Sequence, residues 1–238
     1  MTALTIENVT VARGGRPVVQ GVSIVVPAGE ITGLLGANGA GKSSLALAIS
    51  GLLRTASGSI KLDGQEISNK RPDLVRAAGC AVVPEGRRLL SNLTVAENLQ
   101  VSQFGMSKSQ VTSGTAAVRA LFPELEKRWD QPARALSGGE QQMVVLALAL
   151  VAKPKILVID ELSLGLAPIV VQRLVPTVRN VAAEQGIGVL LIEQFAHVVL
   201  GLAKTAYVME GSKIRYHGTA QELKDDPALL HSAYLLRT

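Results

Sequence analysis

The chain contains 238 residues, of which 47% are hydrophobic, and it carries a formal charge of +5. That length and apolar content favour one large domain, or two small lobes, with an ample buried core. Aromatic residues make up 3% of the chain, which argues against a base-stacking surface for nucleic acids. The longest apolar run, residues 143–152, is too short to cross a bilayer, and residues 1–8 lack the pattern of a signal peptide, so we expect the protein in the cytosol.

The N-terminal part is predicted to contain antiparallel strands. Residues 4–9 alternate between apolar and polar, and Gly14-Gly15 is a hairpin turn signal that leads to a second strand over residues 17–26. A further strand is expected over residues 58–62, which Asp63-Gly64 closes. These patterns indicate an antiparallel β subdomain.

A glycine-rich loop of the form G-x-x-x-x-G-K-[ST] lies between a predicted buried strand, residues 31–35, and a predicted helix, residues 44–49. Such a loop turns its backbone N–H groups toward phosphate oxygens, and the helix dipole points at the same place. Lys42 is expected to reach the β and γ phosphates, and the Ser43 hydroxyl to ligate Mg²⁺. The flanking strand and helix argue against a chance turn. The predicted nucleotide contacts are Gly36, Ala37, Asn38, Gly39, Ala40, Gly41, Lys42, Ser43 and Ser44.

Residues 86–153 are predicted to form a helical insertion. Residues 94–97 match a capping box that opens a helix, and residues 116–121 and 139–152 also favour helices. Near its end, residues 136–142 read L-S-G-G-E-Q-Q. A serine and two glycines at the start of an apolar helix provide either a simple N-cap or a second anion site built from backbone N–H groups.

A strand predicted over residues 156–159 ends in two carboxylates, Asp160 and Glu161. At the C-terminal edge of a parallel strand both acids would lie at the ligand crevice. Asp160 is suited to holding Mg²⁺ through water, and Glu161 to polarising an attacking water molecule. For an acidic pair alone, a solvated strand end is the alternative.

The other predicted elements continue an α/β alternation. They are a strand at 79–83, a helix from Pro168 to about 184, a strand at 188–192, a helix at 195–203, and a hairpin of residues 205–209 and 213–217. Cys80, in the first of these strands, is expected to be a buried structural thiol.

The order of these motifs, followed by S-L-G-L-A-P at residues 163–168, resembles that of the ATP-binding subunits of ABC transporters. Two details resemble the smaller ATPase of the branched-chain amino acid importers: Glu85 stands where most such subunits have glutamine, and Gln194 where most have histidine. Urea and amide importers, close relatives, typically keep glutamine at the position of Glu85.

The resemblance implies an α/β fold with a P-loop NTPase (RecA-like) core, an N-terminal antiparallel β subdomain and an inserted α-helical subdomain. It implies one ATPase domain over residues 1–238, with the nucleotide-binding core at 1–85 and 154–238 and the helical subdomain at 86–153.

The resemblance also implies a function for each motif. Two subunits would stack head to tail around two ATP molecules, each ATP contacting the phosphate loop of one chain and residues 137–140 of the other. Glu161 would be the general base, Gln194 a donor to the γ-phosphate, and Ser163 part of a loop that links the two sites. The implied sites are catalytic Glu161, Gln194 and Lys42; ATP-binding Arg13, Ser137, Gly138, Gly139, Glu140 and Ser163 beside the loop; and Mg²⁺-binding Ser43, Glu85 and Asp160.

The chain departs from the family pattern at three positions. Arg13 stands near the place of an aromatic residue that stacks on adenine, although a guanidinium plane also stacks on a base. Leu162 replaces a proline and Leu148 an arginine, neither of which is a phosphate or metal ligand.

These features predict the ATPase of an importer for branched-chain or related amino acids, attached to the cytoplasmic face of the membrane without a transmembrane segment. Its partners would be an identical or different second ATPase, membrane permease subunits and an extracytoplasmic binding protein. The alternatives are a urea or amide importer, a soluble ABC ATPase acting on DNA or ribosomes, and a phosphate-loop kinase, which would leave L-S-G-G-E-Q-Q unexplained.

Overall fold

The computed structural model describes residues 2–226 and residue 228. Its strands are β1 (Thr2–Arg13), β2 (Arg16–Pro27), β3 (Ile31–Leu35), β4 (Thr55–Leu62), β5 (Gln65–Glu66), β6 (Cys80–Val83), β7 (Ile156–Asp160), β8 (Gly188–Glu193), β9 (Thr205–Glu210) and β10 (Lys213–Thr219). Its α-helices are α1 (Lys42–Ile49), α2 (Pro72–Ala77), α3 (Val95–Ser102), α4 (Lys108–Leu121), α5 (Gly138–Leu150), α6 (Pro168–Ala183), α7 (Ala196–Leu202) and α8 (Ala220–Asp225).

The strands form two sheets. An antiparallel sheet has the order β2-β1-β4-β5, and a six-stranded sheet has the order β10-β9-β3-β8-β7-β6. In the six-stranded sheet β9, β3, β8, β7 and β6 run parallel, and β10 is antiparallel to β9. The C-terminal ends of β3, β7 and β8 therefore lie along one edge, where open α/β sheets bind their ligands.

Both faces of the six-stranded sheet are buried. One apolar cluster contains Leu34, Val158 and Ile192 with residues of β1, β2 and α1. The other contains Leu35 and Ile159 with residues of α3, α5 and α6. Strands covered on both faces need consecutive apolar residues instead of alternation. This is why residues 156–159 of β7 and 189–192 of β8 are unbroken apolar runs.

Most predicted elements are confirmed, with differences at their ends and three omissions: α2, α8 and the two-residue strand β5. Helix α4 begins at Lys108, eight residues before the predicted start at 116, because Ser107 and Gln110 form a capping box. Helices α2 and α8 were not predicted. Both are only six residues long, which leaves little room for a helical hydrophobic period.

The helical segment packs continuously against the core. Phe122 and Leu125 belong to the same buried cluster as Leu157 and Val189 of the sheet. The boundaries at residues 86 and 153 therefore stay a prediction. Among the residues that the structure describes, no helix combines the length and apolarity needed to span a membrane.

Candidate nucleotide-binding site

The phosphate loop connects the C-terminal end of β3 to α1, and Gly41 is the N-cap residue of that helix. Gly41 has φ of 109°, and no side chain caps the helix. A Cβ atom at Gly41 would lie 2.1 Å from the Val18 carbonyl oxygen of β2, so only glycine fits. The first N–H groups of α1 therefore have no side-chain acceptor, which suits them to an anionic ligand.

Lys42 crosses this loop from the first position of α1. Its Nζ donates to the carbonyl oxygens of Gly36 at 2.8 Å and Ala37 at 3.1 Å, and the residue is 4% exposed. Burial lowers the pKa of Lys42, while the negative charges of Glu161 and Asp160 raise it. The ammonium group is therefore held at the loop, beside the acids at the end of β7.

Asp160, the last residue of β7, is 4% exposed. Burial raises the pKa of its carboxyl group to about 6, opposed by a hydrogen bond from Ser43 and by the charge of Lys42. Oδ1 has no hydrogen-bond partner among the described residues. An unpaired buried oxygen beside a serine hydroxyl fits the oxygen-ligand set that Mg²⁺ requires.

Glu161 follows β7 in an unusual backbone conformation. Its φ is 61°, in the left-handed region that favours glycine, and its N–H donates to the Ile192 carbonyl oxygen at 2.9 Å. Burial and the nearby charge of Glu85 raise the pKa of Glu161, while Lys42 lowers it. The strained backbone turns the side chain from the end of the sheet toward the cleft, a pattern common at functional sites.

A cleft of about 430 Å³ brings many of the predicted residues together. Its lining includes Arg13, Asn38, Gly39, Gly41, Lys42, Ser43, Ser44, Glu85 and Glu161, with Val18 and Leu164. The predicted residues outside this lining are Gly36, Ala37, Ala40, Ser137, Gly138, Gly139, Glu140, Asp160, Ser163 and Gln194. The cleft thus joins the phosphate loop to Arg13 and Glu161, but residues 137–140 do not line it.

The L-S-G-G-E segment begins α5 with a complete capping box. The Glu140 N–H donates to Ser137 Oγ at 3.3 Å, and the Ser137 N–H donates to Glu140 Oε2 at 2.8 Å. Arg128 Nε also donates to Glu140 Oε1 at 2.7 Å. Within this chain the Glu140 side chain is therefore occupied by its own helix and by Arg128.

One buried carboxylate was missed by sequence reasoning. Glu193, the last residue of β8, is 1% exposed and accepts from Ser163 N at 2.9 Å and Ser163 Oγ at 3.0 Å. Burial raises the pKa of Glu193, and the bonds from Ser163 lower it. Glu193 thereby connects the loop after Glu161 to the strand that leads to Gln194. An acid at the end of the apolar run 188–192 was the available signal.

Comparison with known proteins identifies the family. The family described as ABC transporter matches residues 19–163, more than half of the chain. The branched-chain amino acid transport ATP-binding protein BraG of Pseudomonas aeruginosa is 42% identical over 98% of this chain and 99% of its own. A probable LivF protein of Archaeoglobus fulgidus is 34% identical over 82% of each chain.

Solved structures agree with this assignment. A nucleotide-free ATP-binding cassette from an ABC transporter matches with a TM-score of 0.85 at 28% identity, covering 97% of this chain and 98% of that one. The ADP conformation of MJ1267, an ATP-binding cassette of an ABC transporter, matches with a TM-score of 0.84 at 28% identity over 97% and 98% of the two chains. The chain belongs to the ABC transporter family and is one of its nucleotide-binding ATPase subunits, similar to those of the branched-chain amino acid group.

Proposed function

We propose that this protein hydrolyses ATP to drive the uptake of branched-chain or related amino acids through a partner membrane permease. The observation that carries the hydrolytic part is the convergence of Lys42, Asp160 and Glu161 beside the phosphate loop. The substrate class is supported by the similarity to BraG over nearly the whole chain, together with Glu85 and Gln194.

In this proposal each residue of the site has a separate role in binding or hydrolysing ATP. The loop N–H groups and Lys42 bind the phosphates, and Arg13 stacks on the base. Glu161 takes the proton of the attacking water, which suits a carboxylate whose pKa is raised by burial. Gln194 donates a neutral hydrogen bond to the γ-phosphate.

Ser43 and Asp160 would hold Mg²⁺, with Glu85 near it at the rim of the cleft. The unpaired Oδ1 of Asp160 supports this assignment. When bound, the ion would neutralise charge on the β and γ phosphates. The metal-free carboxyl group of Asp160 has a pKa raised to about 6, so a cation beside it would also favour its ionised form.

A second ATPase subunit would complete each site. Residues 137–140 lie outside the cleft lining, yet α5 presents Ser137 as an exposed N-cap. We propose that Ser137, Gly138, Gly139 and Glu140 of one subunit close over the ATP of the other, with the Ser163 loops between the two sites. The subunits would attach to the permease at the cytoplasmic face of the membrane. An extracytoplasmic binding protein would belong to the same transport system.

Reconstitution tests the transport function. The chain would be produced together with the permease subunits and binding protein of a branched-chain amino acid importer, in a host that lacks such an importer. We expect uptake of labelled leucine, and we expect Glu161→Gln in the same complex to abolish it. Labelled urea serves as the matched second substrate.

Each outcome has a defined meaning. Leucine uptake that depends on Glu161 supports the proposal. Uptake of urea without leucine would overturn the substrate class in favour of the urea importer group. Failure of the chain to associate with any permease would overturn the transport function and favour a soluble ABC ATPase.

A further inference from the structure

Arg87 connects three segments of the chain. It lies just after Glu85-Gly86, and its Nη2 donates to the carbonyl oxygens of Leu164 and Gly165, each at 3.0 Å. Its other terminal nitrogen, Nη1, lies against the start of α5, because a Cβ atom added to Gly138 would approach it to 2.8 Å. One guanidinium group therefore contacts the segment after β6, the loop after β7 and the first residue of α5.

Two glycines leave room for the Arg87 guanidinium group. The loop residue Gly165 has φ of 64°, and a Cβ atom there would lie 3.3 Å from Nη2. At Gly138 any side chain would displace the guanidinium, so the absence of a Cβ atom makes room for Arg87. Arg87 itself has φ of 46°, an uncommon conformation for a residue with a side chain. The surrounding contacts hold this conformation in place.

The loop that Arg87 holds is part of the nucleotide cleft. Leu164 lines that cleft together with Glu85 and Glu161. Ser163, one residue earlier, is bound by the buried carboxylate of Glu193. The loop is thus anchored on one side by Glu193 and on the other by Arg87. A movement of the segment that carries Arg87 would be transmitted through its hydrogen bonds to the carbonyl groups of Leu164 and Gly165.

We propose that Arg87 is a positioning residue for ATP hydrolysis, which locks residues 163–165 and the start of α5 to the segment that begins at Glu85. This inference rests on the proposed function, because it takes the Ser163 loop and Gly138 as parts of a two-subunit site. Arg87 touches no nucleotide atom in this scheme. It sets the arrangement in which Glu161 and the loop beside it are competent to act.

The matched variants are Arg87→Ala, Arg87→Lys and the control Arg88→Ala, all in the full-length protein. Arg88 is the neighbouring residue with the same charge, and its side chain is exposed. The measurements are steady-state kcat for ATP hydrolysis and the Kd of a fluorescent ATP analogue. We expect Arg87→Ala to lower kcat about tenfold, as the loss of two hydrogen bonds made in the competent arrangement would.

The Kd of Arg87→Ala for the ATP analogue should stay within about twofold of the wild-type value, since Arg87 does not line the nucleotide cleft. Arg88→Ala should leave both quantities unchanged. Arg87→Lys should be intermediate, because an ammonium group donates to carbonyls but has no second planar nitrogen to pack on Gly138. A kcat for Arg87→Ala equal to that of Arg88→Ala would overturn the inference, as would an equal loss in kcat and affinity.

A double-mutant comparison keeps the inference testable if Arg87→Ala is poorly folded. Arg87→Lys is then combined with Ser163→Ala. If Arg87 acts through the loop, Ser163→Ala should lower kcat less in the Arg87→Lys background than in the wild type. Strictly additive losses in the free energy of activation would overturn the inference.

The Glu161→Gln variant separates the positioning role of Arg87 from the proposed hydrolytic function. If Glu161→Gln is inactive and Arg87→Ala is fully active, only the positioning role is refuted.

Discussion

Three carboxylates at the ends of neighbouring strands have different environments. Asp160 is almost fully buried, and its Oδ1 has no hydrogen-bond partner within the described part of the chain, which suits a metal ligand. Both oxygens of Glu193 accept hydrogen bonds from Ser163, which suits a structural anchor. Glu161 is half-buried and lines the cleft. Environment, and not residue type, therefore favours Glu161 among the three as the general base.

Replacing Glu161 by glutamine tests that assignment. Glutamine keeps the shape of the side chain but accepts no proton from water. We expect kcat for ATP hydrolysis to fall about 10²–10⁴-fold, with nucleotide affinity little changed. The matched control is Glu184→Gln, an exposed residue just after α6, which should hydrolyse ATP as the wild type does. Normal turnover in Glu161→Gln would show that another group is the base.

At the scale of elements, local signals predicted the strands and the longer helices but not every boundary. Helix α4 buries only Gly114 and Val118, so its sequence shows little of the apolar spacing typical of a helix. The prediction therefore covered only its last turns. Its start is determined by the capping box of Ser107 and Gln110, as the start of α8 is by Thr219 and Glu222. Those pairs are visible in the sequence but are common in loops, so they do not by themselves predict a helix.

The N-cap residue of α4, Ser107, is expected to stabilise the protein. Ser107→Ala removes the oxygen that accepts from the Gln110 N–H, and we expect the free energy of unfolding to fall by about 1 kcal/mol. In a chain of this size that corresponds to about 2–4 °C in Tm, measurable by circular dichroism. Ser113→Ala, an exposed change within the same helix, should not destabilise the protein. Equal Tm values for the two variants would contradict the capping role.

At the scale of the whole molecule, the fold keeps residues 137–140 out of the cleft lining. The cleft contains the phosphate loop and Glu161 but not residues 137–140. The exposed Ser137 is the N-cap residue of α5 and does not line the cleft. A second subunit that brings its α5 to the cleft would close it, which is the arrangement the proposed function requires.

Crosslinking measures whether that arrangement forms. Asn38→Cys and Ser137→Cys would be made in separate Glu161→Gln chains, mixed with ATP and treated with a short thiol crosslinker. We expect covalent dimers that require ATP and both cysteines. Cys80 should stay unreactive, because it is 3% exposed and burial raises the pKa of its thiol to about 12.

The singly substituted chains are the controls and should remain monomers on a denaturing gel. If no crosslink forms at saturating ATP, either between copies or with the sibling ATPase of the same transport system, the two-subunit site is refuted.

The sequence alone determined the phosphate loop, the acidic pair after β7, the cap of α5 and the family, because each depends on residues that are close in the chain. Arg13 and Glu85 were assigned by resemblance, and the structure places both at the cleft. Only the tertiary structure revealed that Glu193 anchors Ser163 over 30 residues and that Arg87 holds Leu164 over 77. Local sequence patterns do not predict such pairs, because the packing of the sheet and its loops decides which distant side chains meet.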